Sequence, residues 1–251
     1  MPSGTDAVPI NQSPTIVFLH GTRLTGAQWA IQVDALGDEH RCLTPDLLGH
    51  GLAADRPFTL SAAADAIAST LEAEAGGPAI LVGLSLGGYV AMDVAARWPD
   101  RVAGLVLAGA TTEPTGPRSL AFRALAWIFE TLDETWLRRI NVWFFGWRYR
   151  PAIAEPIIAG GFFFRGGAVA VRSLVGERFR PRLARFRGPT LILNGEFDLL
   201  FRLSQRSFID AADDARATLI PRATHLTNID RPEVFTAALR QFVRAVVGPV
   251  E

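Results

Sequence analysis

Short, almost wholly apolar runs punctuate the chain, each stopped by glycine, aspartate or proline. Thr15–Leu19 runs into His20-Gly21, Cys42–Pro45 into Asp46, Ala79–Val82 into Gly83, Val102–Leu107 into Ala108-Gly109, and Thr190–Leu193 into Asn194-Gly195. A weaker run, Ala217–Ile220, precedes Pro221. Brief apolar runs bounded in this way read as strands buried on both faces, because a half-solvated strand would alternate. Helical spacing fills the intervals. Ser61–Ala75 carries Ile67 and Leu71 four apart, and Leu86–Trp98 carries Val90, Val94 and Trp98 before Pro99. Pro232–Val246 places Phe235, Leu239, Phe242 and Val246 on one face. Strands alternating with helices predict βαβ units, hence an α/β fold with a mainly parallel, doubly wound sheet.

One stretch breaks the alternation. Residues 112–181 contain no clear strand and are dense in aromatics, from Phe122, Trp127 and Phe129 through Trp136, Trp143 and Trp147 to Phe162–Phe164. A span of 70 residues is too long for a loop in a compact domain, so it predicts a helical insertion over the sheet's carboxyl edge. The expected organisation is a core built from residues 1–111 and 182–251, with 112–181 as a lid. Most of the aromatics are expected to fill the lid's own small core.

Composition narrows the function classes. Acidic and basic residues balance at 25 each, which argues against a nucleic-acid partner, since that needs a clustered basic surface. The single cysteine, Cys42, excludes an intrachain disulfide and every cysteine-based zinc pattern. Every basic residue is arginine, which excludes Schiff-base and Ser-Lys chemistry. No basic and apolar leader opens the chain, and no window of 18 uncharged apolar residues occurs. The expectation is a cytoplasmic protein without a membrane partner; its oligomeric state is not legible.

The chemistry gathers at Gly83-Leu84-Ser85-Leu86-Gly87-Gly88, where a buried strand hands over to a helix. A serine on so tight a turn is strained, and only small residues two positions either side let it close. The turn lifts the hydroxyl above the sheet, beside free amides of the helix start. Such a hydroxyl needs a base. Of four histidines, His225 lies in the loop between the last strand candidate and the last helix, where a doubly wound sheet gathers its site. His20, His40 and His50 occupy earlier loops, and His20 is expected to brace its loop rather than move a proton. The orienting acid should fall between nucleophile and base; Asp198 is the first choice and Glu196 the alternative, because spacing cannot decide between them. The oxyanion donors are expected to be the Leu86 amide and the Thr22 amide, with Gly21 permitting the tight turn that aims the latter. Arg23 beside it could meet a substrate carboxylate, though a surface or salt-bridged arginine is the expectation.

Together, His20-Gly21, Asp46-Leu47-Leu48-Gly49-His50-Gly51, the Gly83–Gly88 elbow, Gly195 to Asp198 and His225-Leu226 resemble the α/β-hydrolase superfamily, over all but residues 112–181. The resemblance implies a sheet of six to eight strands. The family's amino-terminal hairpin has little room in residues 1–14, which favours six or seven. Among small capped members the chain is most similar to carboxylesterases, enol-lactonases, C–C hydrolases and proline iminopeptidases. Ser85 disfavours the aspartate-nucleophile dehalogenases and epoxide hydrolases, and Thr22-Arg23 departs from the haloperoxidase type. The resemblance implies a cofactor-free and metal-free serine hydrolase acting on a small, largely apolar substrate through Ser85, His225 and Asp198. Lactonase, C–C bond hydrolase, acyltransferase or lyase use of the same site, and non-catalytic ligand binding, are the alternatives.

Overall fold

The computed structural model describes residues 13–248. Six strands make one sheet: β1 (Ile16–Leu19), β2 (Cys42–Leu43), β3 (Ala79–Leu84), β4 (Val102–Ala108), β5 (Pro189–Gly195) and β6 (Asp214–Ile220). Their order is β2-β1-β3-β4-β5-β6, and every neighbouring pair is parallel. The expected limit on an amino-terminal hairpin falls largely on residues 1–12, outside the described residues.

Period two explains the layering. Val17 and Leu19 of β1 join Leu81 of β3 and Leu105 and Leu107 of β4 in one core, packed under α2 (Leu60–Glu74) and α3 (Leu86–Arg97). The alternate residues Ile16, Phe18, Ile80, Val82 and Val106 face the other way. They pack against α1 (Ala30–Leu36) and the last helix, Pro232–Val247. Central strands therefore bury both faces, which is why their sequences are unbroken apolar runs. β6 differs. It begins at Asp214, three residues before the run that marks it, because an edge strand leaves most of its side chains in solvent.

Between β4 and β5 the chain passes through α4 (Ser119–Thr131), α5 (Glu134–Arg148), α6 (Pro151–Gly160) and α7 (Phe164–Leu174). Phe129, Leu137, Phe145, Tyr149, Phe162 and Phe164 bury one another there, with Leu24 and Ile229 contributed from either side of this segment. Four tryptophans are the exceptions to the expectation that most of the aromatics fill this small core. Trp127 of α4 and Trp136, Trp143 and Trp147 of α5 stand in solvent; α5 is apolar around most of its circumference and can bury only one side.

Strand register fixes where loops meet. Leu19 pairs with Gly83, Leu84 with Ala108, and Ala108 with Leu193. The residues that follow, His20, Ser85, Gly109 and Asn194, therefore emerge side by side at one edge. Gly195 pairs with Ile220, which sets the loop carrying Asp198 beside the loop carrying His225.

Candidate active site

Ser85 sits between β3 and α3 with φ 53° and ψ −114°, a left-handed backbone that a non-glycine residue adopts only under constraint. Its amide donates to Ala108 O at 2.8 Å. A Cβ at Gly83 would collide with the Gly87 backbone, one at Gly87 with the Leu19 carbonyl, and one at Gly88 with Ala110. The glycines thus let helix, turn and β1 close on one another. Leu86 opens α3, so its amide has no acceptor within the helix.

The loop after β1 brings Thr22 to the same cavity as Ser85. Gly21 donates its amide to Gln28 Oε1 at 2.8 Å, while the Thr22 amide is free of any hydrogen bond among the described residues. The turn does not depend on Gly21 in the way expected. The left-handed residue is Arg23, at φ 61°, and Gly21 is small because a Cβ there would stand 3.1 Å from Leu84. Arg23 is also not at the surface, and it makes no salt bridge among the described residues. It is half-buried, donates through Nε to Asn141 Oδ1 at 3.0 Å, lies over the Phe129 ring, and burial lowers its pKa to about 10.

His20 is buried with both ring nitrogens engaged. Nε2 accepts from Leu47 N at 2.9 Å, and Nδ1 lies 2.9 Å from Gly21 O. Burial, reinforced by neighbouring His50, lowers its pKa to about 3. The unfolded chain returns the imidazole to its ordinary value of 6.5, so below that pH the unfolded state binds the extra proton. Stability present above pH 6.5 is therefore lost as the pH falls toward 3. For His20 alone the loss at pH 5 is about 2 kcal/mol. Melting temperatures should fall measurably between pH 7.5 and 5, and His20→Gln should flatten that fall; a melting temperature unchanged over the interval would contradict it.

His225 Nδ1 lies 2.8 Å from Asp198 Oδ2, whose side chain is only 7% exposed. Glu196 does not reach the imidazole: its carboxylate accepts from Arg222 N at 2.7 Å. Of the two carboxylates, the structure brings Asp198 to His225. Phe201 stacks on the imidazole with centroids 4.7 Å apart. The other ring nitrogen, Nε2, and Ser85 Oγ have no hydrogen-bond partner among the described residues. Both residues line one cavity of about 280 Å³. Phe122 and Leu125 of α4 and Val171 and Leu174 of α7 form its apolar wall. A cavity of about 390 Å³ beside Pro189, Asp214 and Phe242 opens near the starts of β5 and β6, away from this chemistry.

Several positioning groups escaped the sequence reading. Gly109, at φ +53°, faces the imidazole edge; a Cβ there would stand 2.8 Å from His225 Cε1 and 3.2 Å from Asp198 Oδ2. Asn194 Oδ1 accepts from Gly109 N, and its amide donates to Thr111 and Gln205. Thr111 in turn donates to Phe201 O. Gln28, Gln32 and Asn228 form a buried amide cluster joining the Gly21 loop to the segment after His225. Such a network, fully satisfied, rigidifies both loops. Asp230 accepts from Thr224, next to His225, and from the Tyr149 hydroxyl at 2.8 Å. Burial and the Asp230 carboxylate push the Tyr149 phenol far up, so it remains a donor. The one sequence signal for these groups was Gln28 and Gln32, two amides four residues apart beside apolar Trp29 and Leu36. Among the described residues no cluster of three His, Cys, Asp or Glu side chains could hold a metal ion.

The profile of the alpha/beta hydrolase family matches residues 16–238. The chain is 28% identical over 247 residues to a pimeloyl-[acyl-carrier protein] methyl ester esterase of Chromobacterium violaceum, covering 92% of this chain and 95% of that one. It is 26% identical over 251 residues to 3-oxoadipate enol-lactonase 1 of Acinetobacter baylyi, covering 96% and 94%. A malate-bound thermophilic esterase from Thermogutta terrifontis superposes with a TM-score of 0.77 at 27% identity, over 93% of this chain and 90% of that one.

Proposed function

Because the chain belongs to the alpha/beta hydrolase family, we propose that it is a serine hydrolase cleaving a carboxylic ester, or a related acyl bond, of a small and largely apolar substrate. The observation that carries this reading is the 2.8 Å contact between Asp198 and His225, at a cavity into which the strained Ser85 also opens. Esterases and an enol-lactonase among its relatives support the same class.

In this reading Asp198 fixes the imidazole so that Nε2 faces the serine. Nε2 takes the Ser85 proton as Oγ adds to the substrate carbonyl, and the negative charge moves to the carbonyl oxygen. The Leu86 and Thr22 amides meet that charge; removing one such donor typically costs about 10²–10³ in rate. His225 then returns the proton to the departing alcohol, leaving an acyl-Ser85 ester. Water, deprotonated by the same imidazole, releases the acid and restores the hydroxyl. His20 and Gly21 hold the donor loop, and Gly83 and Gly87 hold the elbow. Residues 112–181 act as the lid, with α4 and α7 shaping an acyl site that offers little but hydrocarbon.

A series of p-nitrophenyl esters from acetate to laurate tests this. Turnover is expected, with kcat/KM rising from acetate as the acyl chain fills the cavity and falling once it outgrows it. Absence of hydrolysis across esters and lactones, together with failure of a fluorophosphonate to label Ser85, would sink the proposal.

A further inference from the structure

Trp136, Ile140, Trp143 and Trp147 fall at i, i+4, i+7 and i+11 of α5, and all four are exposed. The other side of the helix buries Leu137 and Phe145 against the α4–α7 core. A helix that packs on a core needs one apolar stripe, and α5 carries a second that none of the described residues covers. Trp143 and Trp147, 64% and 69% exposed, stack face to face with centroids 5.7 Å apart. Tryptophan combines an apolar ring with a wet N–H, the pairing that suits the headgroup boundary of a bilayer.

Charge points to the nature of the partner. Arg139 falls three residues after Trp136 and four before Trp143, so it flanks the stripe, and it has no acceptor among the described residues. The single acid on α5, Glu134, is paired with Arg165. Residues 112–181 hold ten arginines against six acids, whereas the rest of the chain holds 15 arginines against 19 acids. A second copy docking by the same face would bring both copies of Arg139 into one interface, with the one acid of α5 already paired to Arg165. An anionic surface meets no such repulsion. We propose that the outer face of α5 is a docking surface for an anionic lipid bilayer. No single helix among the described residues is long and apolar enough to cross a membrane, so the contact is peripheral, with the indole rings at headgroup depth and Arg139 on lipid phosphates. This departs from the expectation, drawn from hydropathy alone, of no membrane partner: a stripe of four residues is invisible to a window of 18.

Co-sedimentation of the full chain with sucrose-loaded vesicles tests this independently of any activity. Partition is expected on vesicles of phosphatidylcholine mixed with phosphatidylglycerol and not on phosphatidylcholine alone, and it should weaken as salt screens the charge. Trp143→Ala combined with Trp147→Ala should reduce the partition coefficient at least tenfold with unchanged far-ultraviolet circular dichroism, since both side chains are exposed. Arg139→Ala should cost about fivefold. The idea is overturned by absent partition on anionic vesicles at low salt or by partition undiminished in the tryptophan pair. It is equally overturned if sedimentation equilibrium finds a dimer that the tryptophan pair dissolves, which would make the covering partner a second copy.

Discussion

Replacing Ser85 with alanine is expected to lower kcat for a short p-nitrophenyl ester by about 10⁴–10⁶-fold while leaving the melting temperature near that of the parent. The magnitude follows from the division of labour in the proposed site. Without Oγ there is nothing for His225 to activate and no acyl-enzyme to form, so only binding and the Leu86 and Thr22 amides remain to assist water. Stability should hardly move, because alanine keeps a Cβ and with it the backbone strain at φ 53°. Ser85→Gly then serves as the informative partner. It removes the same hydroxyl but relaxes a conformation that costs a non-glycine residue about 1–3 kcal/mol, against about 0.5–1 kcal/mol lost to added chain entropy. Glycine should therefore be as inactive as alanine and melt a few degrees higher. Retained fluorophosphonate labelling in either variant would place the nucleophile elsewhere. A glycine variant less stable than the alanine one would show that the turn is not under strain.

How far the sequence could be read followed from where each residue's constraints lie. β1, β3, β4 and β5 were legible because a strand covered on both faces must be apolar throughout, and the run itself records that burial. β2 and β6 were marked less accurately, since edge strands owe their pairing to neighbours on one side only and carry polar residues such as Asp214 and Arg216. The serine turn was legible for a steric reason, that Gly83 and Gly87 admit no Cβ. Asp198 was preferred to Glu196 because it lies deeper into the loop, which did not settle the choice. What separates them is a contact across 27 residues to His225 for the one and to the Arg222 amide for the other, and no local pattern encodes it. Gly109 and Asn194 read only as the ends of strands, although in the folded chain Gly109 leaves no room for a Cβ beside the imidazole and Asn194 accepts from the Gly109 amide. The outward tryptophans of α5 were hidden by abundance. With apolar residues at 136, 137, 140, 142–145 and 147, the helix shows no single face in sequence.

Gly109→Ala should be the most damaging change outside the three proposed catalytic side chains, with a loss of about 10²–10³ in kcat/KM. Two effects combine. Alanine at φ +53° costs about 1 kcal/mol in backbone strain, which is a matter of stability. Its Cβ would also stand 2.8 Å from Cε1 and 2.9 Å from Nδ1 of His225, pressing on the bond that Asp198 makes. The ring must then tilt or withdraw, and a displacement on the order of 1 Å from productive geometry can cost a hundredfold in rate. Gly116→Ala separates the two contributions. Gly116 has φ +52°, but a Cβ there meets nothing within 4 Å. Strain alone predicts that both variants lose a similar few degrees of melting temperature. Contact with the imidazole predicts that only Gly109→Ala loses turnover, and that its fluorophosphonate inactivation slows in proportion. Equal activity in the two variants would mean that the imidazole has room to retreat without penalty, and that its position beside Asp198 is not what limits the reaction.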